Sequence, residues 1–345
     1  MKIIGLIGYG NIGKAIVKLM QGSKKYVIHV ADQEQFANVD NFTKLNIYDI
    51  EALKEWIKTK DGIICATSYV CVKTIAKAVA ECGIPYFDLT EDRGTTDYIK
   101  SLESKSVMVP QCGLAPGAVS IIANGMIKDF SSVHSLEMRV GALPKYPNNE
   151  MKYNLTWSTE GLINEYCNMC EALIGGKPTL VQPLEGYEII DINGKQYEAF
   201  NTSGGLGTMC ETYAGKIRTL NYKTIRYMGH QHLMKFLLHD LKMGREKGYF
   251  TGLFNKHVAK TKDDVVLIMI KATGIKDESL QEVNYYKRIP CTEDMSAIQR
   301  TTACGICAVV NSWFYFNDDW TKKSGFVKQE EVPQFYTSEW GDLYL

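Results

Sequence analysis

The chain has 345 residues, with 39 basic and 39 acidic side chains and a formal net charge of zero. That balance excludes the one-signed field that gathers proteins on nucleic acid or an anionic membrane, so a small-molecule substrate is expected, with no nucleic-acid or membrane partner. No apolar run approaches the ~18 residues of a membrane span, an apolar strand begins where a targeting peptide would stand, and the expected setting is cytoplasmic.

The strand is Lys2 to Ile7, apolar enough for a buried parallel sheet. It runs into Gly8-Tyr9-Gly10-Asn11-Ile12-Gly13, the G-x-G-x-x-G spacing of a dinucleotide site, and then into a helix carrying Ala15, Ile16, Leu19 and Met20. Gly8 permits the tight turn, Gly10 lets the backbone approach a pyrophosphate, and Gly13 lets the helix lie close to the strand. The phosphates meet unpaired N–H groups at the helix N-terminus. A second strand, Tyr26 to Ala31, ends at Asp32 and Gln33, where a carboxylate accepts both adenosine ribose hydroxyls and repels a 2′-phosphate. Residues 33–40 contain no Lys or Arg. NAD is therefore expected in preference to NADP.

The alternation continues. A short segment at Thr43 to Ile47 precedes a helix at Asp49 to Lys58, and the strand Gly62 to Ala66 leads to Thr67 and Ser68, at the end where ligands of open parallel sheets collect. A helix at Val72 to Cys82, a strand at Pro85 to Leu89 closed by Asp88, Thr90 and Glu91, an amphipathic segment at Tyr98 to Lys105 and a strand at Val107 to Pro110 complete a Rossmann-type α/β domain with a doubly wound parallel sheet. The loop Gln111 to Gly117 opens a helix at Ala118 to Ile127. Beyond it the texture changes to an α+β domain, with strands at Leu136 to Val140, Glu185 to Ile192, Gln196 to Phe200 and Asp264 to Ala272, and Asn193-Gly194 as a hairpin turn. A long helix, Met295 to Phe316, is apolar enough to return to the first domain, and the aromatic tail is expected to fold against protein. The domains are thus residues 1–117 with 295–345, and 118–294. The ten cysteines are expected as reduced thiols; Cys167/Cys170 and Cys304/Cys307 have Cys-x-x-Cys spacing but fall in segments read as helix, and no metal is expected.

Several motifs in order, Cys112-Gly-Leu-Ala-Pro-Gly117, Gly141-Ala-Leu-Pro144, Lys152 to Gly161, Glu198 to Gly205 and Thr224-Ile-Arg-Tyr-Met-Gly-His230, resemble the saccharopine dehydrogenase and lysine 6-dehydrogenase family over nearly the full length. The resemblance implies a Rossmann domain interrupted by a substrate domain, which also forms a homodimer. It implies that Cys112, Gly113, Leu114 and Ala115 border nicotinamide and substrate, and that Asn201, Thr202, Ser203, Thr224, Arg226 and His230 line the substrate side. Ala115 replaces an Asp of fungal-type saccharopine reductases, so the chain looks more like the lysine 6-dehydrogenase branch.

The implied reaction is oxidation at a C–N bond. Hydride leaves such a carbon only when the nitrogen lone pair is free, so a base must first take a proton from the ammonium; Glu91, Asp88 and His230 are the candidates. An amino-acid carboxylate calls for a planar guanidinium, here Arg226, with Lys152 adding charge. Each has a structural alternative: a surface ion pair for Arg226, a helix cap for His230 and a turn for Asp88. Tyr153 and Trp157 read as packing residues. Cys112 has no base beside it, which speaks against covalent catalysis. Lysine oxidised at its ε-amine is the first substrate expected. The alternatives are reductive coupling to saccharopine or a carboxyalkyl polyamine, and a dinucleotide-binding regulator without turnover.

Overall fold

The structure, a computed structural model, describes every residue except Asn38, Asn317, Asp318 and Gln334, and no side chain at Asp319, Thr321 or Thr337. The chain forms two compact units, residues 1–121 with 301–345, and residues 122–300.

In the first unit, β1 (Lys2–Ile7), α1 (Asn11–Gly22), β2 (Tyr26–Asp32), β3 (Phe42–Lys44), α2 (Ile50–Lys58), β4 (Gly62–Cys65), α3 (Tyr69–Cys82), β5 (Tyr86–Asp88), α4 (Arg93–Lys100) and β6 (Val107–Val109) alternate along the chain. The sheet order is β3-β2-β1-β4-β5-β6, with the short strand Gly325–Phe326 added beside β6, and every pairing is parallel. Ile4, Leu6, Ile63, Ile64, Phe87, Val107 and Val109 are buried, the near-continuous apolar pattern of strands covered on both faces. The order reverses between β1 and β4, so the loops after these two strands flank the crevice in which such sheets bind ligands. One expected element is displaced. The helix placed at Tyr98 to Lys105 begins instead at Arg93, because Asp92 caps it by accepting from Thr95 N at 2.7 Å, and it ends at Lys100.

Helix α5 (Ala118–Ile127) and the helix Ala297–Tyr315 carry the chain across the two unit boundaries. The second unit contains β7 (Ser132–Pro144), α6 (Thr159–Cys167), β8 (Cys170–Ile174), β9 (Lys177–Val181), β10 (Glu188–Ile192), β11 (Lys195–Asn201), α7 (Met209–Tyr213), β12 (Ile217–Tyr227), α8 (His230–Lys235), α9 (Lys247–His257), β13 (Asp264–Lys276) and β14 (Ser279–Pro290). Its mixed sheet runs β10-β11-β12-β7-β13-β14, with β8 on β12 and β9 on β8; within this sheet only β7 and β12 pair in parallel among the described residues. Asn193 and Gly194 turn between β10 and β11, both with positive φ as a two-residue hairpin of this type requires. Cys167 closes α6 while Cys170 opens β8, so this pair does not share a helix as expected. Tyr153, Leu162, Tyr166, Phe200, Met234, Phe250 and Phe254 form an apolar cluster where α6, α8 and α9 meet the sheet.

Candidate active site

The glycine loop follows β1 at the switch point. Gly8 has φ of 100°, and a Cβ there would stand 2.7 Å from Ala66 O of the loop after β4. A Cβ on Gly13 would stand 2.1 Å from Gly8 O, so this glycine sets how closely α1 approaches the turn. Gly10 is different: nothing lies within 4 Å of its added Cβ. That is open space at the mouth of α1, whose N-terminus has no side-chain cap, so the N–H groups around Asn11 and Ile12 are available to an anion. Asp32 closes β2 and steadies the loop, accepting from Tyr9 N at 2.7 Å through Oδ2 and from Glu34 N at 3.0 Å through Oδ1. Each oxygen keeps a lone pair for a ribose hydroxyl. Gln33 is exposed beside it, and Ala66 and Thr67 face the glycine loop from the end of β4, followed by Ser68 at the start of α3. A dinucleotide fits this donor set: backbone N–H groups for the pyrophosphate and a carboxylate for the ribose.

The loop after β6 is held from behind. Asp88, with no exposure to solvent, accepts from Tyr86 OH at 2.9 Å, Thr90 N at 2.9 Å and Gln111 N at 3.1 Å, and its carbonyl accepts from Cys112 N at 2.8 Å. Burial pushes its carboxyl up to about 6. Asp88 thus positions backbone and is not presented as the base the sequence proposed. Cys112 is likewise turned inward: its thiol donates to Val109 O at 3.1 Å, Gln329 Nε2 donates to its Sγ at 3.3 Å, and burial holds it protonated, which removes it as a nucleophile and as a substrate-facing side chain. Gly113 and Gly117 form a bridge, and Gly305 packs against Gly113 O, where a Cβ would stand at 2.6 Å. Leu114 is buried and Ala115 half-buried. Glu91 makes no hydrogen bond among the described residues, and desolvation, with the neighbouring Asp92 charge, lifts its carboxyl to about 7.

The second unit holds a different constellation. Arg226, on β12 opposite Glu198 of β11, is 2% exposed. Its Nε donates to Tyr166 OH at 2.9 Å and its Nη1 to Ile225 O at 2.9 Å, and the guanidinium lies 5.3 Å and 5.9 Å from the ring centroids of Tyr153 and Tyr166. Among the described residues no carboxylate lies within ion-pair distance, so the surface ion pair is not its role. Glu198 is engaged elsewhere: it accepts from Gly229 N and Gln231 N and so fixes the start of α8.

His230 stands at that start, 3.0 Å from Tyr166 OH through Nε2 and 2.9 Å from Met151 O through Nδ1. The order of donors follows. Nδ1–H donates to the carbonyl, Tyr166 accepts from Arg226 and therefore donates to Nε2, and the imidazole is neutral. Burial and the Arg226 charge lower its pKa to about 3. His230 is thus a fixed acceptor in a buried chain of hydrogen bonds, not the base expected.

Four polar side-chain atoms of this unit, Tyr153 OH, Asn154 Oδ1, Thr156 Oγ1 and Thr202 Oγ1, are buried without a well-formed hydrogen bond, with the Thr156 and Trp157 side chains beside Tyr153 OH. The other expected substrate residues serve the backbone: Asn201 Nδ2 donates to Gln182 O, Ser203 Oγ to Asn164 O and Thr224 Oγ1 to Val140 O. Lys152 Nζ donates to Met228 O at 3.1 Å. Sequence reasoning missed Tyr166 altogether and took Tyr153 for packing, although Tyr153 sits in one of the motifs quoted above.

A doubly wound sheet with its glycine loop at the switch point defines a dinucleotide-binding architecture. The saccharopine dehydrogenase NADP binding domain model matches residues 4–111 and the saccharopine dehydrogenase C-terminal domain model residues 113–343, and the chain belongs to that family. Among solved structures it is similar to apo saccharopine dehydrogenase (L-Glu forming) from Saccharomyces cerevisiae, with a TM-score of 0.75 and 14% identity over 96% of this chain and 94% of that one. An engineered D-amino acid dehydrogenase bound to NADP⁺ matches with a TM-score of 0.55 and 11% identity over 98% and 96% of the two chains. A mutant meso-DAP dehydrogenase with DAP, from Clostridium tetani, matches with a TM-score of 0.50 and 13% identity over 98% and 97%. These likenesses concern the fold. No described helix is long and apolar enough to cross a membrane, and the described residues contain no cluster of His, Cys, Asp and Glu that could hold a metal.

Proposed function

We propose that the chain is an NAD-dependent dehydrogenase that oxidises a C–N bond of an amino acid, with the ε-amine of lysine as first substrate. The carrying observation is Arg226: a guanidinium enclosed in protein with no carboxylate in ion-pair contact, Glu165 acting on it only from farther off, over the ring of Tyr153, whose hydroxyl makes no well-formed hydrogen bond. A buried guanidinium without a contacting carboxylate is costly, and a substrate carboxylate, which can take two parallel N–H donors, relieves it. Tyr153 and Thr156 supply further donors. Tyr166 and His230 keep the guanidinium in place.

Glu91 is the base of this reading. With a carboxyl near pH 7 it takes a proton from the substrate ammonium at working pH, freeing the lone pair that forms the imine as hydride departs. The nicotinamide, when bound, accepts that hydride. Water then adds to the imine carbon and releases ammonia and an aldehyde. Asp32 holds the adenosine ribose, and the open face of Gly10 admits the pyrophosphate. Residues 1–117 with 295–345 serve as the dinucleotide domain and residues 118–294 as the substrate domain, in a cytoplasmic homodimer.

The experiment is a set of absorbance assays with NAD and lysine, ornithine, saccharopine or polyamines. Growth of reduced-cofactor absorbance with lysine alone is the expected result. Turnover only in the reductive direction, with lysine plus a keto acid, would replace deamination by coupling. Binding of NAD without turnover on any amine would replace the enzyme by a binding protein.

A further inference from the structure

We propose that the second unit carries a binding site for a small organic anion, in the cleft between the end of α6 and the turn that joins α8 to α9. The cleft encloses about 410 Å³, within the range of small-molecule sites, and every residue around it belongs to this unit. Tyr166, Cys167 and Leu238 give it an apolar wall, and His239, Lys242 and Arg245 ring it with donors. No carboxylate lines it: Asp240 and Glu246 stand on the same turn but outside the lining. The backbone there departs twice from regular helix. Phe236–Asp240 widen into a π turn, closed by Leu241 N on Phe236 O at 3.0 Å, and Lys242 takes a φ of 58°, which few residues other than glycine adopt. Both departures are of kinds that gather at functional sites. Gly244 then seats the turn, since a Cβ there would stand 3.2 Å from Leu238 O and 3.5 Å from Cys167 Sγ.

The cations of this stretch divide by what they touch. Lys235 pairs with Glu185 at 2.6 Å, and Lys247 donates to Asn168 Oδ1 at 2.7 Å and Asn164 Oδ1 at 3.2 Å. The side chains of Lys242 and Arg245, which line the cleft, make no hydrogen bond or ion pair among the described residues, and the His239 ring makes none either. Like charges gathered without a counter-charge repel each other, and an anion between them removes that repulsion while taking their N–H donors. The apolar wall sets the rest of the ligand: a ring or short alkyl body covers Leu238, Cys167 and the Tyr166 ring, which a bare ion leaves wet. The cleft is separate from the Arg226 constellation. Arg226, Tyr153 and Thr156 do not line it, and Tyr166, the residue common to both, turns its hydroxyl toward His230 and Arg226. The inference therefore stands whether or not the amine is the substrate.

Cys167 reports on the cleft, because its thiol is half-buried in the wall. The experiment follows its alkylation by iodoacetamide, mapped by mass spectrometry, while phenylacetate, hexanoate or hexyl phosphate is titrated into the full chain, with acetate as the anion that lacks a body. At least one of the three is expected to protect Cys167 at concentrations about tenfold or more below acetate, while the half-buried Cys71 and Cys82 of the first unit react at unchanged rates. The double variant Lys242→Gln/Arg245→Gln is expected to need about tenfold or more of the same acid, the scale for charge-assisted hydrogen bonds. Lys256→Gln/Lys262→Gln, which removes the same charge from exposed positions of the same unit, is expected to leave the curve in place. An unchanged melting temperature in both double variants shows that the fold is intact. Protection by none of the three acids, protection by acetate at equal concentration, or an equal loss in the two double variants each overturn the inference. Displacement of the acid by lysine makes the cleft part of the amine site and overturns it as well.

Discussion

Arg226 and Asp32 are both single charged residues at strand ends, yet only one of them announces its work in sequence. Asp32 is legible because glycines, helix, strand and carboxylate follow one another within one βαβ unit. Arg226 depends on Tyr166, 60 residues away, and on His230, which is 64 from Tyr166; no local pattern encodes those pairings. Arg226→Gln is expected to raise KM for a carboxylate-bearing amine by about 100-fold or more, the scale for removing one partner of a buried charge pair, and Arg226→Lys is expected to restore little of it because an ammonium lacks the planar fork. Steady-state kinetics with amines that have and lack a carboxylate check both. For Glu91 the sign is that of a base active when ionised: kcat/KM rises with pH up to about 7 and then levels. Glu91→Gln removes that limb, with a loss of about 100-fold or more. His230, with a pKa near 3, contributes no inflection between pH 5 and 8, and its replacement leaves the limb near 7 in place.

At the scale of elements, the three glycines separate by their surroundings. Gly10→Ala is expected to fold with a stability within about 0.5 kcal/mol of wild type, because its Cβ enters open space, and to lose dinucleotide binding because that space belongs to the ligand. Gly13→Ala collides with backbone and is expected to lower the melting temperature whether or not ligand is added. Thermal melts with and without NAD distinguish the two. Asp88 carries a pH signature. Its carboxyl is raised from 3.8 to about 6 in the fold, so its contribution to stability is fully present below about pH 4 and is lost as pH rises through about 6. Against Asp88→Asn, wild type should lose about 3 kcal/mol across that window in denaturant titrations. Elements with local signals were readable: the parallel strands by apolar runs, the β10–β11 hairpin by Asn193-Gly194. Those missed or misplaced lacked that signal. β14 alternates exposed and half-buried residues along nearly its whole length because it is an edge strand, β12 mixes charged residues into a buried strand, and α4 takes its start from the Asp92 cap and not from apolar periodicity.

Across the whole molecule, the first unit is discontinuous: residues 301–345 supply the strand beside β6, the glutamine that grips Pro110 O and Cys112 Sγ, and the buried Val327, Phe335, Trp340 and Tyr344. A fragment of residues 1–121 is therefore expected to lack cooperative unfolding by circular dichroism, and joining residues 301–345 to it by a flexible linker is expected to restore it. That arrangement also has a consequence for biogenesis. At about 5–20 residues per second, a ribosome needs roughly 10–50 s after finishing β6 before the strand Gly325–Phe326 exists to pair with it. During that interval the β6 edge displays unpaired backbone N–H and C=O groups, the template on which nascent chains aggregate. Synthesis, not the finished fold, is thus where this protein is most vulnerable, and its soluble yield is expected to respond to chaperone supply more than to stabilising substitutions in the second unit.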